Sequence, residues 1–338
     1  MSFAPGLWFL RMELSLMSIP RSLVTCVIFT STLYAQDVWF QFNKKFIAQH
    51  VNEATGFGSL NASKSHPASN AHAISCGAND GELHLGVLDK EVSDVDSDGI
   101  SGKPGSPADP DWGLVVEPVN LTAGDKSDIS TVSHASADYA GFFRVWNEGH
   151  DHGAIQPSNP HHVLELHPNW AYKGSGVDSD RPASIHPMPG FAGYGATKFK
   201  PLLQSIANGQ WLQAYEDPTF VYIKLRHDQN FYQLPVKIKS ITDVDQGRQA
   251  VVDVYSDAAH RHKVFTNLTV NMLSDTFAKG LSNGKATFFL GIFSVNPRKS
   301  MTLAAGHGKS DPVDAAKALE FFSYGFPKQK AVKNSQCD

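Results

Sequence analysis

Short runs of β-branched and aromatic residues, bounded by clusters of Gly, Pro, Asp and Ser, constrain this chain more than any other feature. In the first half these runs fall near 46–60 and at 82–88, 112–119, 141–147 and 161–167. A weak helical pattern at 128–138 lies between the third and fourth runs. Three strands, a helix and two strands follow one another in the order of a small OB-like barrel. We therefore expect such a barrel within residues 36–170.

The second half has the same pattern of short runs bounded by turn-forming residues. Its predicted strands lie at 220–226, 232–241, 250–255, 263–270 and 287–295. Helical spacing predicts one helix at 197–209 and a last one at 311–325, the latter capped by Asp311 and opened by Pro312. The predicted fold class is mainly β with a few short helices, an OB-like barrel being followed by a second β-rich domain at 196–326. Residues 171–195 are predicted to be a linker or long loop, and 327–338 a C-terminal tail.

The N-terminal 35 residues differ from the rest of the chain. Arg11 and Arg21 precede an apolar run at 22–35 that ends in small residues, which is typical of a secretory signal peptide. A buried first helix is the alternative. The signal interpretation predicts a secreted or periplasmic protein, and no later stretch is long enough to span a membrane as a helix. It leaves Cys76 and Cys337, which are either a disulfide or two free thiols.

The net charge of the chain limits the kinds of molecule that it can bind. The net charge is -4, from 29 Lys+Arg and 33 Asp+Glu. No positive field covers the molecule, so we expect no non-specific binding of nucleic acid.

Alternation along the predicted strands separates core positions from polar ones. At 161–167, one face carries His161, Glu165 and His167, and the other carries the leucines. When the other predicted strands are divided into two faces in the same way, further titratable side chains lie on the face opposite the core. If the strands are neighbours, five such groups converge on one outward or cleft-facing patch: His84, Glu117, Arg144, Glu165 and His167.

This set of residue types fits three interpretations. Carboxylate, imidazole and guanidinium together suit acid/base chemistry or the binding of an oxyanion. Two histidines and a carboxylate suit a divalent metal. The same residues also suit the solvated face of an antiparallel sheet.

Two short motifs carry a resemblance to known proteins. Asp80–His84 reads D-G-E-L-H, and Glu165–Pro168 reads E-L-H-P. The pair resembles the D-G-[DE]-x-H and E-x-H-P signatures of uncharacterised secreted bacterial proteins with an OB-like barrel. The resemblance covers residues 70–170 and implies the barrel and export, and it supplies no activity. The insertion at 92–110 and the second half of the chain depart from it.

Two further clusters are candidate metal sites. Asp94, Asp96 and Asp98 match the opening of a calcium loop, although position twelve is Gly105 where an EF-hand has Glu. The loop histidines His150 and His152 could reach His161 and bind zinc or copper. Ordinary surface loops are the alternative in both cases. Zinc and calcium are therefore the candidate cofactors.

The function that these features favour is binding. The predicted partner is a polar or anionic ligand, or a surface protein, bound by the His/Glu/Arg patch. One alternative is a secreted hydrolase of nuclease or esterase type, with Glu165 as base, His167 or His84 as acid and Arg144 stabilising negative charge. Another is a structural subunit of an extracellular assembly.

Overall fold

A computed structural model describes residues 38–62, 64–67, 85–88, 114–118, 127–128, 132, 136–147, 163–180, 196–226, 228, 231–245, 247–273 and 280–325. The described residues belong to one compact unit. The fold is mainly β with short helices, which confirms the predicted class. Among the described residues, no helix is both long and apolar enough to cross a bilayer. The predicted signal peptide, Cys76, Cys337 and the tail at 327–338 lie outside the described residues.

The first half forms one ring of paired strands. Its members are β2 (Phe57–Ala62), β3 (Lys64–Pro67), β4 (Leu85–Leu88), β5 (Leu114–Pro118), β6 (Ala137–Val145) and β7 (Leu164–Gly174). Only residue 63 separates β2 from β3, and together they serve as one first strand that pairs with β6 at one end and with β4 at the other. The ring continues through β5, which lies parallel to β7, and closes through β7 and β6. This is the OB-like barrel expected within 36–170, and we call it the first barrel.

The second half contains a closed five-stranded barrel, the second barrel. Its strands are β11 (Phe231–Val244), β12 (Gly247–Tyr255), β13 (Lys263–Leu273), β14 (Ala286–Val295) and β16 (Leu319–Gly325). The pairing order is the same as in the first barrel, because the third and fifth strands are parallel and the fourth strand pairs with both the fifth and the first. The fourth strands of the two barrels also touch, through the pair Val145 and Val295.

A smaller sheet joins segments from both halves. Its antiparallel strands are β1 (Val38–Asn43), β10 (Phe220–Leu225), β9 (Gln213–Glu216) and β15 (Val313–Asp314). β1 was expected within 36–170 and pairs instead with β10 of the second half. The segment that opens the described part of the chain forms a strand and then a helix: β1 is followed by helix α1 (Lys44–His50).

Two predictions differ from the observed elements. Residues 171–180, expected in the linker, are the end of β7 and β8 (Val177–Asp180), which form a hairpin. The expected last helix is instead β15, a short 3-10 turn at Ala316–Ala318 and β16. β16 pairs with two strands at once, so tertiary pairing overrides the helical propensity of its sequence.

Helices occupy the connections. Helix α2 (Ala196–Ala207) confirms the one predicted at 197–209. Helix α3 (Pro297–Ala304) was not predicted, although its start carries a signal: the Asn296 side chain accepts hydrogen bonds from the backbone N–H groups of Arg298 and Lys299, and Pro297 opens the helix. The predicted helix at 128–138 is described only in part: residues 127, 128 and 132 are helical, and residues 137–138 already belong to β6.

Candidate functional site

Four of the five residues of the predicted patch meet in one cluster. We call Glu117, Arg144, Glu165 and His167 the junction cluster. Strand register brings them together, because Arg144 lies opposite Glu165 across β6 and β7, and Val115 of β5 lies beside Glu165. The fifth residue, His84, lies outside the described residues.

Direct contacts link the four side chains. Arg144 Nη1 donates to Glu165 Oε2 at 2.7 Å. His167 Nδ1 lies 2.9 Å from Glu117 Oε2 and 3.2 Å from Glu165 Oε2. Two carboxylate oxygens therefore converge on a single imidazole nitrogen.

Burial corrects the expectation of an outward or cleft-facing patch. The exposed fractions are 3% for Glu117, 0% for Arg144, 1% for Glu165 and 0% for His167. These side chains do point away from the core of the first barrel, as alternation predicted, but the second barrel covers them. Since solvent does not reach the cluster, its interpretation as a solvated sheet face is wrong.

Three contacts with the second barrel bury the cluster. Arg144 Nε donates to the backbone oxygen of Phe293 at 2.7 Å. The ring centroids of Phe231 and Tyr324 both lie 6.4 Å from that of His167. The junction cluster thus lies between the two barrels, where a low dielectric strengthens its ion pairs and penalises any unbalanced charge.

The cluster also contains a set of metal donors. Within the described part of the chain, Glu117, Glu165 and His167 are the one group of three or more His, Cys, Asp or Glu residues whose donor atoms all lie within 4.8 Å of one another. The loop residues predicted for calcium, Asp94, Asp96 and Asp98, and those predicted for zinc or copper, His150, His152 and His161, lie outside the described residues.

A second buried carboxylate, Glu320 of β16, was missed by sequence reasoning. It accepts hydrogen bonds from Asn271 Nδ2 at 3.1 Å and from Asn296 Nδ2 at 3.2 Å, and it pairs with Lys299. Burial raises the pKa of Glu320 above its ordinary value of 4.5, although Lys299 and the two amides act in the opposite direction. The alternation of β16 could not reveal it, because a helix was predicted there.

The small sheet exposes a row of rings on its outer face. We call Trp39, Tyr215, Phe220 and Tyr222 the aromatic face. Tyr215 and Tyr222 stack with centroids 4.4 Å apart and an interplanar angle of 9°. Trp39 meets Tyr215 edge-on at 4.8 Å, and Phe220 lies 6.4 Å from Tyr222. Tyr215 is buried beneath its neighbours, whereas the other three rings are half-buried.

Polar groups line this row of rings. Gln41, Gln213 and Lys224 occupy the same outer face, and Lys224 Nζ donates to Gln213 Oε1 at 3.4 Å. The Tyr222 hydroxyl donates to Asp217 Oδ2 at 2.8 Å. Burial and that hydrogen bond raise the pKa of Tyr222 to about 12, so its phenol stays neutral and keeps its proton as a donor.

The sequence carried a signal for this face. In both Val38–Asn43 and Phe220–Leu225, side chains of the buried face alternate with side chains of the outer face. The buried members of the second strand are Val221, Ile223 and Leu225. This alternation predicted a strand with two different faces at 220–226, whereas periodicity left residues 38–51 open between a helix and a strand. It could not indicate that strands from distant parts of the chain would place their rings side by side.

No protein-family model, curated protein or solved structure matches the chain. The chemistry of the described residues is therefore the basis for assigning a function.

Proposed function

We propose that this protein is a binding protein whose aromatic face takes a neutral oligosaccharide. The observation that carries the proposal is the row of rings on the outer side of a four-stranded sheet, of which Trp39, Phe220 and Tyr222 are half-buried. Sugar rings present C–H groups that pack against the electron-rich faces of aromatic rings, and Trp and Tyr combine such a face with a hydrogen-bonding group. A row of rings that crosses neighbouring strands suits an extended chain of sugars.

Charge on this face supports a neutral ligand. Lys224 is the basic group on its strands, and Asp217 and the exposed Asp314 oppose it. A polyanion such as nucleic acid requires several basic groups for its phosphates, and the net charge of -4 adds to the mismatch. Amide and carboxylate side chains beside the rings instead suit hydroxyl groups, which both donate and accept hydrogen bonds.

Burial of the junction cluster supports binding elsewhere on the molecule. A hydrolase would need Glu165 and His167 within reach of its substrate, and both are covered by the second barrel. We therefore assign the cluster to the junction between barrels and not to ligand recognition. The signal-type pattern of residues 1–35 supports a location outside the cytoplasm.

Affinity electrophoresis tests the proposal. Native gels would contain laminarin, hydroxyethylcellulose or pullulan as neutral probes, and carboxymethylcellulose as an acidic one. We expect retardation by at least one neutral polysaccharide, and the Trp39→Ala variant to bind it about tenfold more weakly, in line with a loss of about 1.4 kcal/mol from one stacked ring. Tyr255→Ala removes a half-buried ring from the second barrel and serves as the matched control.

Each outcome bears on the proposal. Retardation that Trp39→Ala weakens and Tyr255→Ala leaves unchanged supports the aromatic face as the binding surface. Equal loss in both variants, retention by the acidic polysaccharide alone, or no retardation by any neutral probe would overturn it.

A further inference from the structure

The second barrel carries a row of three rings on its outer side. The His260 ring lies between the other two and meets both edge-on, with its centroid 5.4 Å from that of Tyr255 and 5.7 Å from that of Phe288. His260 Nε2 also lies 3.2 Å from the backbone oxygen of Thr287. All three rings are half-buried, so each keeps part of its surface in solvent. We call Tyr255, His260 and Phe288 the ring row.

Basic side chains lie beside the ring row. Lys263 of β13 is the register partner of Tyr255, and Lys237 of β11 lies opposite Asp253, two residues before Tyr255 on β12. Side chains that lie directly opposite each other, or two residues apart on one strand, point to the same face of a sheet. Lys237, Lys263 and Tyr255 therefore share the outer face of the barrel.

Direct contacts confirm this placement of the lysines. Lys263 Nζ pairs with Asp253 Oδ2 at 3.1 Å. Lys239 Nζ donates to Asn267 Oδ1 of β13 at 2.6 Å. Because β12 lies between β11 and β13, the Lys239 side chain extends across the outer surface of β12. Lys237 and Lys239 are both exposed.

The loop between β12 and β13 adds a fourth cation, the exposed Arg261. Asp257 fixes this loop, because its carboxylate accepts hydrogen bonds from the backbone N–H groups of Ala259, Arg261 and His262. A backbone that is already fixed loses little conformational freedom when a ligand binds. The loop therefore presents its guanidinium beside the lysines at a low entropic cost.

Positive charge is in excess on this surface, which we call the cationic face. Its four cations face two carboxylates: Lys237, Lys239, Arg261 and Lys263 against Asp253 and Asp257. Asp243, the other acidic residue of β11, pairs with Arg248 at the opposite end of the β11–β12 hairpin. The net charge of -4 belongs to the whole chain, whereas an extended anion responds to the local field.

The groups of the cationic face suit an acidic polysaccharide. Ammonium and guanidinium groups pair with carboxylates, and the ring row offers apolar surface to the C–H groups of sugars. Asn267 and Thr269 lie on the same side of β13, and their amide and hydroxyl groups suit sugar hydroxyls. A single-stranded nucleic acid would instead need open ring faces for its bases, and these three rings pack edge-on against one another.

We propose that the cationic face binds an acidic polysaccharide built of uronic acids. The carboxylates of the polysaccharide pair with the four cations, and its sugar rings pack on the ring row. The two protein carboxylates on this face favour one charge per sugar over the denser charge of a sulfated chain. This inference does not depend on the ligand proposed for the aromatic face, which lies on a different sheet.

Isothermal titration calorimetry of the full chain tests the proposal. The probes are two short uronic acid oligomers, an oligogalacturonate and an oligomannuronate. A neutral malto-oligosaccharide, dextran sulfate and a single-stranded oligothymidylate serve for comparison. We expect at least one uronic acid oligomer to bind at low salt, and its affinity to fall at high salt because exposed charges are screened.

Two double variants locate the binding surface. Lys237→Gln combined with Lys239→Gln should bind the uronic acid oligomer about tenfold more weakly, since each exposed ion pair contributes modestly. Lys45→Gln combined with Lys309→Gln removes the same charge from helix α1 and from the loop after α3, and should bind as the wild type does. All four lysines are exposed, so both double variants should fold.

A crossed pair of variants separates this proposal from the one for the aromatic face. Tyr255→Ala should weaken binding of the uronic acid oligomer and leave binding of a neutral polysaccharide unchanged. Trp39→Ala should do the reverse. Loss of one kind of binding without the other shows which of the two proposals has failed.

Three results would overturn the cationic face as a uronic acid site. They are no binding of either uronic acid oligomer at low salt, an equal loss of affinity in the two double variants, and binding of dextran sulfate or oligothymidylate without binding of a uronic acid oligomer. Binding that only the Lys237 and Lys239 double variant weakens supports it.

Discussion

The two barrels bury a carboxylate at the same position in two different ways. In the first barrel Glu165 lies opposite Arg144 of the fourth strand, and in the second barrel Glu320 lies opposite Ser294. The neighbouring register pairs, Val145 with Leu164 and Val295 with Leu319, correspond as well. A shared pairing order therefore fixes where the carboxylate sits, but not how its charge is balanced.

The neighbours make the difference. Glu117 and His167 of the first barrel correspond in register to Asn271 and Phe322 of the second. The first barrel surrounds its carboxylate with charged groups, whereas the second uses amide donors and Lys299, which is 22% exposed at the side chain. The comparison indicates that the pairing order of the strands sets the position of the buried carboxylate. The side chains at the neighbouring positions set how its charge is balanced.

The largest expected effect comes from removing the guanidinium that pairs with the buried carboxylate of the first barrel. Arg144→Met should lower the free energy of unfolding by about 3 to 5 kcal/mol, because it leaves a buried carboxylate without its guanidinium. Urea unfolding followed by circular dichroism measures this change. A loss below about 1 kcal/mol would contradict a buried ion pair at this position.

Ser294→Ala is the matched control at the corresponding position. The Ser294 hydroxyl is buried and has no hydrogen-bond partner among the described residues. Its removal should change stability by less than about 1 kcal/mol, with a gain as the expected sign.

Two glycines at corresponding positions sharpen the comparison. A Cβ at Gly291 would lie 1.9 Å from the backbone oxygen of Phe322, and one at Gly141 would lie 2.6 Å from that of Pro168. Alanine should destabilise the chain by about 1 to 3 kcal/mol at both, and more at Gly291, because the strand must move to relieve the overlap. Thermal unfolding ranks the variants, with Gly308→Ala as a control whose nearest neighbour is 3.7 Å away. The reverse ranking would mean that the second barrel is the looser of the two.

The smallest expected effect is a pH dependence in the second barrel. Because burial raises the pKa of Glu320, the folded chain holds its proton more tightly than the unfolded chain does. The contribution of Glu320 to stability is therefore fully present below pH 4.5 and declines as the pH rises through the raised pKa. The free-energy difference between Glu320→Gln and the wild type should shift in favour of the variant over that range. A shift in the opposite direction would mean that Lys299 outweighs burial.

Much of the fold was predictable from local pattern. Period-two alternation located β4 to β7 of the first barrel and β11 to β14 of the second, and Asn208 and Gly209 marked the end of α2. Errors arose where two signals competed. The alanines and charged residues at 314–320 favour a helix, yet β16 fills the gap between β13 and β14 and gains backbone pairing on both edges.

The two candidate sites also differ in how much of each could be predicted from the sequence. Alternation along β7 placed Glu165 and His167 on one face, and the structure brings Glu117 and Arg144 to them. The aromatic face was not predicted, because β1 and β10 are distant in sequence and only their pairing brings Trp39 near Tyr215.

The sequence by itself determined the β class, the barrel order of the first half and the side of each strand on which the titratable residues lie. These properties follow from local periodicity and turn chemistry. Only the tertiary structure decided that the polar side of the first barrel is buried, because the cover comes from Phe231, Phe293 and Tyr324 of another barrel. Burial depends on what packs against a face, and alternation within one strand carries no information about its partner.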